Sequence, residues 1–311
     1  MNPIICIAGP TASGKTALAV ALARELDGEV VSCDSMQVYK RMDIGTAKPS
    51  PEERQGIPHH MIDVAEPWED YSVSCYCADA APIVEDIVSR GKTAIIAGGT
   101  GLYMDSLIRG NDFAPFPSTG VRERLEREAD RAGMEALLAR LRAVDPEAAA
   151  RLHLSDRKRI IRAMEVYLET GETITAHNRR TQALPPRFSP VWLGLDFESR
   201  AELYSRIDRR VDVMLEAGLL EEIRALLRSG IPEKCTAMQA IGYKEFTDAL
   251  DGRCTVEAAA DQVRQSSRRY AKRQLTWFRR NGRIHWLRRG PGEGSAEILA
   301  SARRILQEND S

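Results

Sequence analysis

The stretch that decides the fold is IICIAGPTASGKT, residues 4–16. Residues 4–8 are apolar and predict a short buried strand, and the alanine-rich segment after residue 16 predicts a helix. Between them, residues 9–16 match G-x-x-x-x-G-K-[ST], a phosphate-binding loop that joins a strand to a helix. The stretch therefore predicts a site for a di- or triphosphate. It does not indicate what the phosphates are attached to.

The chemistry of this loop assigns roles to its residues. Glycines let successive backbone N–H groups turn toward a phosphate, and the helix N-terminus adds positive potential. Lys15 supplies a point charge, and the Thr16 hydroxyl is a candidate ligand for Mg²⁺. The residues expected to bind the diphosphate are Gly9, Thr11, Ala12, Ser13, Gly14, Lys15 and Thr16.

Length and composition restrict the class of protein. The 311 residues predict two domains, or one core that carries a large insertion. The net charge of −1 does not by itself predict a nucleic-acid partner. The six scattered cysteines lack metal-ligand spacing and predict reduced thiols. No apolar run reaches the ~20 residues of a membrane span and no leader pattern is visible, so we expect a cytoplasmic protein that contacts no membrane.

Strands and helices alternate through the first hundred residues. Strands are predicted at 4–8, 29–33 and 93–99, and helices at 17–26 and 83–89. Apolar strands that alternate with helices are typical of a parallel sheet covered on both faces. The predicted fold class is α/β, with a P-loop NTPase-like parallel sheet core, a helical insertion domain and a helical C-terminal part.

Two breaker-rich segments, 112–120 and 183–190, delimit the insertion. Between them we predict helices at 121–144, from Asp145-Pro146 onward, and from a cap at Ser155 to Gly171. After them we predict a strand at 191–197, a capping box of Ser199 with Glu202, and a long helix at 256–280. The predicted domains are therefore a core of residues 1–112 and 190–311, and an insertion of residues 113–189.

Asp34 follows the second predicted strand, at the sheet edge where ligands of open α/β sheets bind. It can act as a Mg²⁺ ligand of the outer shell, as a general base, or simply as the first residue of a turn. The segment DSMQVYKRMDIGTAKP, residues 34–49, is polar and favours recognition over packing.

The third strand is followed by GGTGLY, residues 98–103, and not by an acidic residue. A P-loop hydrolase needs an acid there to hold metal and water, so the pattern disfavours hydrolysis but leaves a small-molecule kinase open. Thr100, between glycines, can approach a ligand closely. His59-His60 lack a partner at metal-ligand spacing, and we predict a turn beneath the sheet.

Basic residues concentrate in three places. Arg206 and Arg210, four residues apart, form either a solvated face or a guanidinium clamp on phosphate. Residues 262–292 contain ten Lys and Arg, no Asp or Glu, and the aromatic residues Tyr270, Trp277, Phe278 and Trp286. A smaller cluster, residues 157–162, lies in the insertion. The last two clusters predict a clamp around a structured RNA.

Seven segments together resemble one family. GPTASGKT, DSMQVYKRMDIGTAKP, PHHMID, GGTGLY, DRKRIIRAMEVY, QAIGYKE and KRQLTWFR occur in the order found in tRNA dimethylallyltransferases, the bacterial tRNA isopentenyltransferases. The resemblance covers nearly the whole chain. It implies transfer of the dimethylallyl group of dimethylallyl diphosphate to N6 of the adenine at tRNA position 37, beside the anticodon, with Mg²⁺ and with release of pyrophosphate.

The resemblance also implies roles for individual residues. Asp34 would be the general base, and Thr100, Arg210 and Lys15 would complete the catalytic set. The residues expected to contact tRNA are Asp34, Ser35, Met36, Gln37, Thr100, Arg122, Lys158, Arg159, Ile160, Ile161, Arg162, Gln239, Ala240, Ile241, Gly242, Tyr243, Lys244, Lys272, Arg273, Gln274, Leu275, Thr276, Trp277, Phe278 and Arg279. A monomer is expected. Two alternatives remain, an adenylate isopentenyltransferase that acts on free nucleotide and a small-molecule kinase.

Overall fold

The computed structural model describes residues 4–111, 119–290 and 292–309. The chain forms two compact units, one of residues 1–108 with 188–311 and one of residues 109–187. Most of the first breaker-rich segment, residues 112–118, lies outside the described residues. Within the described ranges, no helix has both the length and the apolar character needed to cross a membrane.

The larger unit is built on a six-stranded parallel sheet, which confirms the predicted α/β class. Its strands are β1 (Ile4–Ala8), β2 (Gly28–Cys33), β3 (His59–His60), β4 (Thr93–Gly98), β5 (Val191–Phe197) and β6 (His285–Arg289). Their spatial order is β3-β2-β4-β1-β5-β6. In register, Gly98 is opposite both Ala8 and Cys33, so β1, β2 and β4 end at one edge of the sheet. The residues that directly follow β1, β2 and β4 are therefore close together at this edge.

Helices cover both faces of the sheet. On one face, α1 (Lys15–Glu25) and α13 (Ser295–Asn309) share an apolar cluster with the strands. On the other face pack α3 (Val73–Ser89) and α4 (Gly101–Arg109), and the four-residue α2 (Pro51–Arg54) lies in the segment before β3. Two faces buried in this way explain why the central strands β1 and β4 are almost continuously apolar.

Helix α3 begins ten residues earlier than predicted. Its Pro82 lies inside the helix, where proline removes one backbone donor and normally marks a boundary. Tyr76, Ala80, Val84 and Ile87 are buried against the sheet along the same face. This tertiary packing stabilises the first turns despite the proline.

A group of helices follows β5 and forms its own apolar cluster. These are α9 (Arg200–Glu216), α10 (Leu219–Arg228), a short 3-10 helix (Ala237–Gln239), α11 (Tyr243–Leu250) and α12 (Val256–Phe278). The predicted capping box at Ser199 is wrong, because the Ser199 side chain caps no backbone group. The predicted turn at His59-His60 is also wrong, because these residues pair with Val30 and Val31 as the edge strand.

The smaller unit is helical, as predicted, with α5 (Val121–Val144), α6 (Pro146–Ala150), α7 (Arg157–Thr170) and α8 (Ile174–Ala183). Asp145 caps α6, since its Oδ1 accepts from the backbone of Ala148. The predicted cap at Ser155 is wrong. Asp156 is the residue that precedes α7, and the Ser155 hydroxyl bonds the His153 ring instead.

Candidate active site

The phosphate loop has the backbone conformation its sequence predicts. Gly14 has φ 93°, and Ala12, a residue with a side chain, has φ 61°. Left-handed residues that alternate with an ordinary one turn successive backbone N–H groups toward one side, which makes an anion-binding concavity. The Ser13 hydroxyl is buried and has no hydrogen-bond partner among the described residues. An unsatisfied buried donor in the loop fits an anion as its partner.

Lys15 begins α1 and lies inside the loop. Its Nζ donates to the carbonyl of Pro10 at 2.7 Å. Burial lowers the pKa of Lys15 to about 8, with Asp34 opposing the shift and Arg210 adding to it. An ammonium held in this way is poorly solvated and gains most from an incoming anion.

Two arginines of α9 approach the loop from its open side. Arg206 Nε donates to the carbonyl of Ala12 at 3.0 Å, and Arg210 donates to the Thr11 hydroxyl at 3.4 Å. Burial lowers the pKa of both guanidinium groups. Of the two alternatives for this arginine pair, the geometry favours the phosphate clamp, because both guanidinium groups donate to residues of the loop, although Arg206 remains exposed.

Asp34 follows β2 directly and faces the same cleft as the loop. Its Oδ1 accepts from the backbone N–H of Met36 at 2.9 Å, which fixes the orientation of the carboxylate. Thr100, after β4, does not line this cleft. Its hydroxyl accepts from the backbone of Ser35 at 3.0 Å and so holds the turn that carries Asp34.

Helix α12 reaches the phosphate loop through Gln274. Its Oε1 accepts from the backbone N–H of Thr11 at 2.9 Å, while its Nε2 donates to the carbonyl of Gly99 at 2.9 Å. One turn earlier, Tyr270 lines the cleft. Burial and the charge of Asp34 raise the pKa of Tyr270. From the sequence, Tyr270 is predicted only as one of the aromatic residues of the basic segment 262–292, and not as a residue of the active site. Its spacing of four from Gln274 is the signal that could have placed it there.

These groups surround one cleft of about 1,090 Å³. It is lined by the phosphate loop, Asp34, the polar segment 43–51 and the arginines of α9. A smaller pocket of about 300 Å³ adjoins it and shares Thr11, Asp34 and Arg210. The remainder of this pocket is mainly apolar, with Met36, Ile207, Val211, Met214, Ala240, Ile241 and Val263 in its wall.

The residues predicted to contact tRNA in the larger unit fall into two groups. Exposed on the surface are Gln239, Lys244, Lys272, Arg273, Thr276 and Arg279, with Trp277 half-buried. Buried in the core are Ala240, Gly242, Tyr243, Gln274, Leu275 and Phe278. Met36 and Ile241 line the small pocket, and Gln37 bonds the carbonyls of Thr46 and Ala47. Of these buried residues, Ala240 also lines the small pocket and Gln274 the larger cleft, and the others support the surface from within.

The basic stripe of α12 is narrower than its sequence suggests. Arg268 forms an ion pair with Asp208, and Arg264 with Asp212 and Asp261. Two of these acids belong to α9, which the sequence places far from α12. The exposed basic residues of α12 that remain are Arg269, Lys272 and Arg273, whereas Arg279, just after the helix, pairs with Asp196.

In the smaller unit the predicted contacts are likewise mixed. Lys158 and Arg159 are exposed, whereas Ile160 and Ile161 are buried in the core of that unit. Arg122 and Arg162 both pair with Glu165. Lys158, Arg159 and Arg162 line a pocket of about 640 Å³ in this unit.

The described residues contain no group of three or more His, Cys, Asp or Glu placed to hold a metal ion. All six cysteines are free thiols. The cleft is lined by Thr16, the predicted Mg²⁺ ligand, and by the carboxylates of Asp34, Asp43, Glu53 and Asp63.

Fold and site together define an α/β protein of the P-loop class, whose phosphate loop faces a carboxylate at the end of the neighbouring strands. The chain belongs to the IPP transferase family, whose model matches residues 37–281. The model for isopentenyl transferase matches residues 2–69.

Individual relatives agree with this assignment. The chain is 48% identical over 288 residues to a tRNA dimethylallyltransferase of Carboxydothermus hydrogenoformans, which covers 92% of each protein. It is similar to the crystal structure of a full-length tRNA isopentenylpyrophosphate transferase from Bacillus halodurans, with 40% identity and a TM-score of 0.73. The match covers 100% of this chain and 98% of the Bacillus halodurans chain. It is also similar to a eukaryotic dimethylallyltransferase acting on tRNA, with 28% identity and a TM-score of 0.81. That match covers 99% of this chain and 80% of the eukaryotic chain.

Proposed function

We propose that this enzyme transfers the dimethylallyl group of dimethylallyl diphosphate to N6 of the adenine at position 37 of tRNA. The observation that carries the proposal is the shared cleft: the phosphate loop and a carboxylate, Asp34, line one space beside a small apolar pocket. A diphosphate, a short isoprenoid and a nucleophile that must lose a proton need these three environments.

The reaction balances with groups of this chain. The N6 lone pair forms a bond to C1 of the dimethylallyl group, and the bond from C1 to the diphosphate oxygen breaks with its electron pair. N6 passes one proton to the Asp34 carboxylate. The exocyclic amine is a weak nucleophile because its lone pair is delocalised, and general-base assistance contributes about 10²–10⁴ in rate.

The leaving group gains negative charge on its bridging oxygen. Lys15, Arg210 and the N–H groups of the loop are fixed around that position before reaction, so stabilising the new charge requires little reorganisation. Attack falls on carbon and not on phosphorus, so no residue has to position a water. The sequence GGTGLY after β4, which lacks an acid, is compatible with such a reaction.

The donor set of the cleft fits Mg²⁺, the cofactor that we propose. Thr16, in the first turn of α1, offers a hydroxyl to the ion, and Mg²⁺ characteristically takes its remaining ligands from substrate phosphates and waters. When bound, the ion would neutralise charge on the diphosphate.

The acceptor nucleotide must leave the stacked anticodon loop to enter the cleft, at a cost of a few kcal/mol. Two kinds of contact would offset this cost. RNA phosphates would bind Lys272, Arg273 and neighbouring exposed residues, and a base would stack on half-buried Trp277. We further propose that the enzyme acts as a monomer in the cytoplasm, where its substrate is found.

One assay distinguishes the proposed reaction from its alternatives. Labelled dimethylallyl diphosphate and Mg²⁺ are offered with unmodified tRNA, or with AMP, ADP or ATP, to the wild type and to Asp34→Ala. Label that enters only tRNA, and only with the wild type, supports the proposal. Label in free nucleotide would indicate an adenylate isopentenyltransferase. ATP consumption without transfer would indicate a kinase.

A further inference from the structure

A turn of the polar segment 34–49 is attached to α10 by one carboxylate. Glu222 Oε2 accepts from the backbone N–H groups of Asp43 and Ile44, both at 2.8 Å. Its Oε1 accepts from the N–H of Gly45 at 3.1 Å and from the Tyr243 hydroxyl at 2.6 Å. Four donors thus converge on the two oxygens of a single side chain.

The surroundings of this carboxylate leave little freedom. The Tyr243 side chain is fully buried, in the apolar cluster of α9 to α12. A Cβ on Gly45 would lie 2.4 Å from the Tyr243 ring, so the turn packs directly on the ring and only glycine fits. Lys48, whose side chain is 4% exposed, bonds Asp43 and Asp63 from the other side. The turn is fixed from both sides.

The turn forms part of the active-site wall. Gly45 and Thr46 line the small apolar pocket opposite Ile207, Val211 and Met214 of α9. Ile44 and Thr46 also line the larger cleft. Glu222 itself lines neither cavity. Any effect of Glu222 on the reaction therefore has to act through the position of the turn.

We propose that Glu222 is a positioning residue that sets the wall of the reaction pocket by holding residues 43–45 against Tyr243. The proposal rests on the proposed function, because the pocket is where the dimethylallyl group and the adenine would meet. Loss of the carboxylate frees three backbone donors and lets the wall move. Displacements of about 1 Å at a reacting centre can reduce turnover about 10²-fold.

The main test compares Glu222→Ala and Glu222→Gln with Glu221→Ala, an exposed neighbour that forms an ion pair with Arg224 of the same helix. We expect kcat to fall about 10- to 100-fold in Glu222→Ala and less in Glu222→Gln, which retains one acceptor oxygen. The dissociation constant for inorganic pyrophosphate should stay within about twofold of wild type, because the phosphate loop does not touch Glu222. Glu221→Ala should behave as wild type.

Hydrogen–deuterium exchange provides a readout independent of the reaction. In both Glu222 variants, the backbone amides of residues 43–45 should exchange faster than in the wild type. In Glu221→Ala, these amides should exchange at the wild-type rate. If Glu222→Ala does not fold, Tyr243→Phe removes one of the four bonds and should show the same changes at smaller amplitude.

The two proposals fail in different ways. Wild-type protein that transfers no label contradicts the proposed function. Wild-type protein that transfers label, while the Glu222 variants keep the wild-type kcat or lose pyrophosphate affinity as much as turnover, overturns the positioning role alone.

Discussion

Lys15 should make diphosphate binding sensitive to pH just above neutrality. Burial lowers the pKa of its ammonium to about 8, against the opposing influence of Asp34. Only the protonated form attracts phosphate, so the affinity of the free protein for dimethylallyl diphosphate should fall as pH rises through 8. A group with this pKa is about 90% protonated at pH 7 and about 10% protonated at pH 9. The expected loss of affinity between these values is therefore up to about tenfold.

Isothermal titration calorimetry without tRNA, at constant ionic strength between pH 7 and pH 9, measures this dependence directly. Lys15→Arg is the matched control, because a guanidinium keeps its charge throughout this range. Its affinity can differ from that of wild type at every pH, but the fall should disappear. A flat wild-type profile, or an equal fall in Lys15→Arg, would refute the assignment of this titration to Lys15.

Three further predictions concern the base, the fold and the RNA surface. Asp34→Asn should lower kcat by about 10²–10⁴ and leave the dissociation constant for dimethylallyl diphosphate nearly unchanged; near-normal single-turnover rates would exclude Asp34 as the base. Gly98→Ala should destabilise the protein by at least about 3 kcal/mol in urea unfolding, because the new Cβ would lie 1.9 Å from the carbonyl oxygen of Cys33. Gly282→Ala, where the added Cβ has open space, is the control, and equal stabilities would contradict the packing. Lys272→Ala should reduce the slope of log K for tRNA against log salt by about 0.7–0.9, since Lys272 is exposed and forms no ion pair in the described part of the chain; an unchanged slope would remove Lys272 from the phosphate contacts.

Local patterns predicted the phosphate loop and the four inner strands of the sheet, but not the edge strands β3 and β6. Strands 4–8 and 191–197 match β1 and β5 at both ends, because a continuous apolar run bounded by breakers has few alternatives. Helix 121–144 also matches α5, although Gly133 interrupts its helical backbone. The start of α3 could not be found in this way. There the burial of Tyr76 and Ala80 outweighs the boundary that Pro82 suggests.

Charge was harder to predict than secondary structure. The ten basic residues spread through segment 262–292 predicted one basic surface. Which of them form ion pairs depends, however, on the acidic residues that the fold places beside them. Asp208 and Asp212, about fifty to sixty positions earlier in the chain, neutralise Arg268 and Arg264. A count of charges along the sequence cannot contain such pairings, because they arise between two helices.

By itself, the sequence determined the P-loop, the parallel sheet and the position of Asp34 at the end of β2, because each depends on neighbouring residues and on the fixed geometry of strands and turns. Only the tertiary structure decided which distant side chains complete the site. Arg206 and Arg210 reach the loop from α9, and Gln274 reaches it from α12. Glu222 reaches the wall of the pocket from α10. These contacts join residues about 180 to 260 positions apart, and the packing of helices that places them depends on many side chains at once.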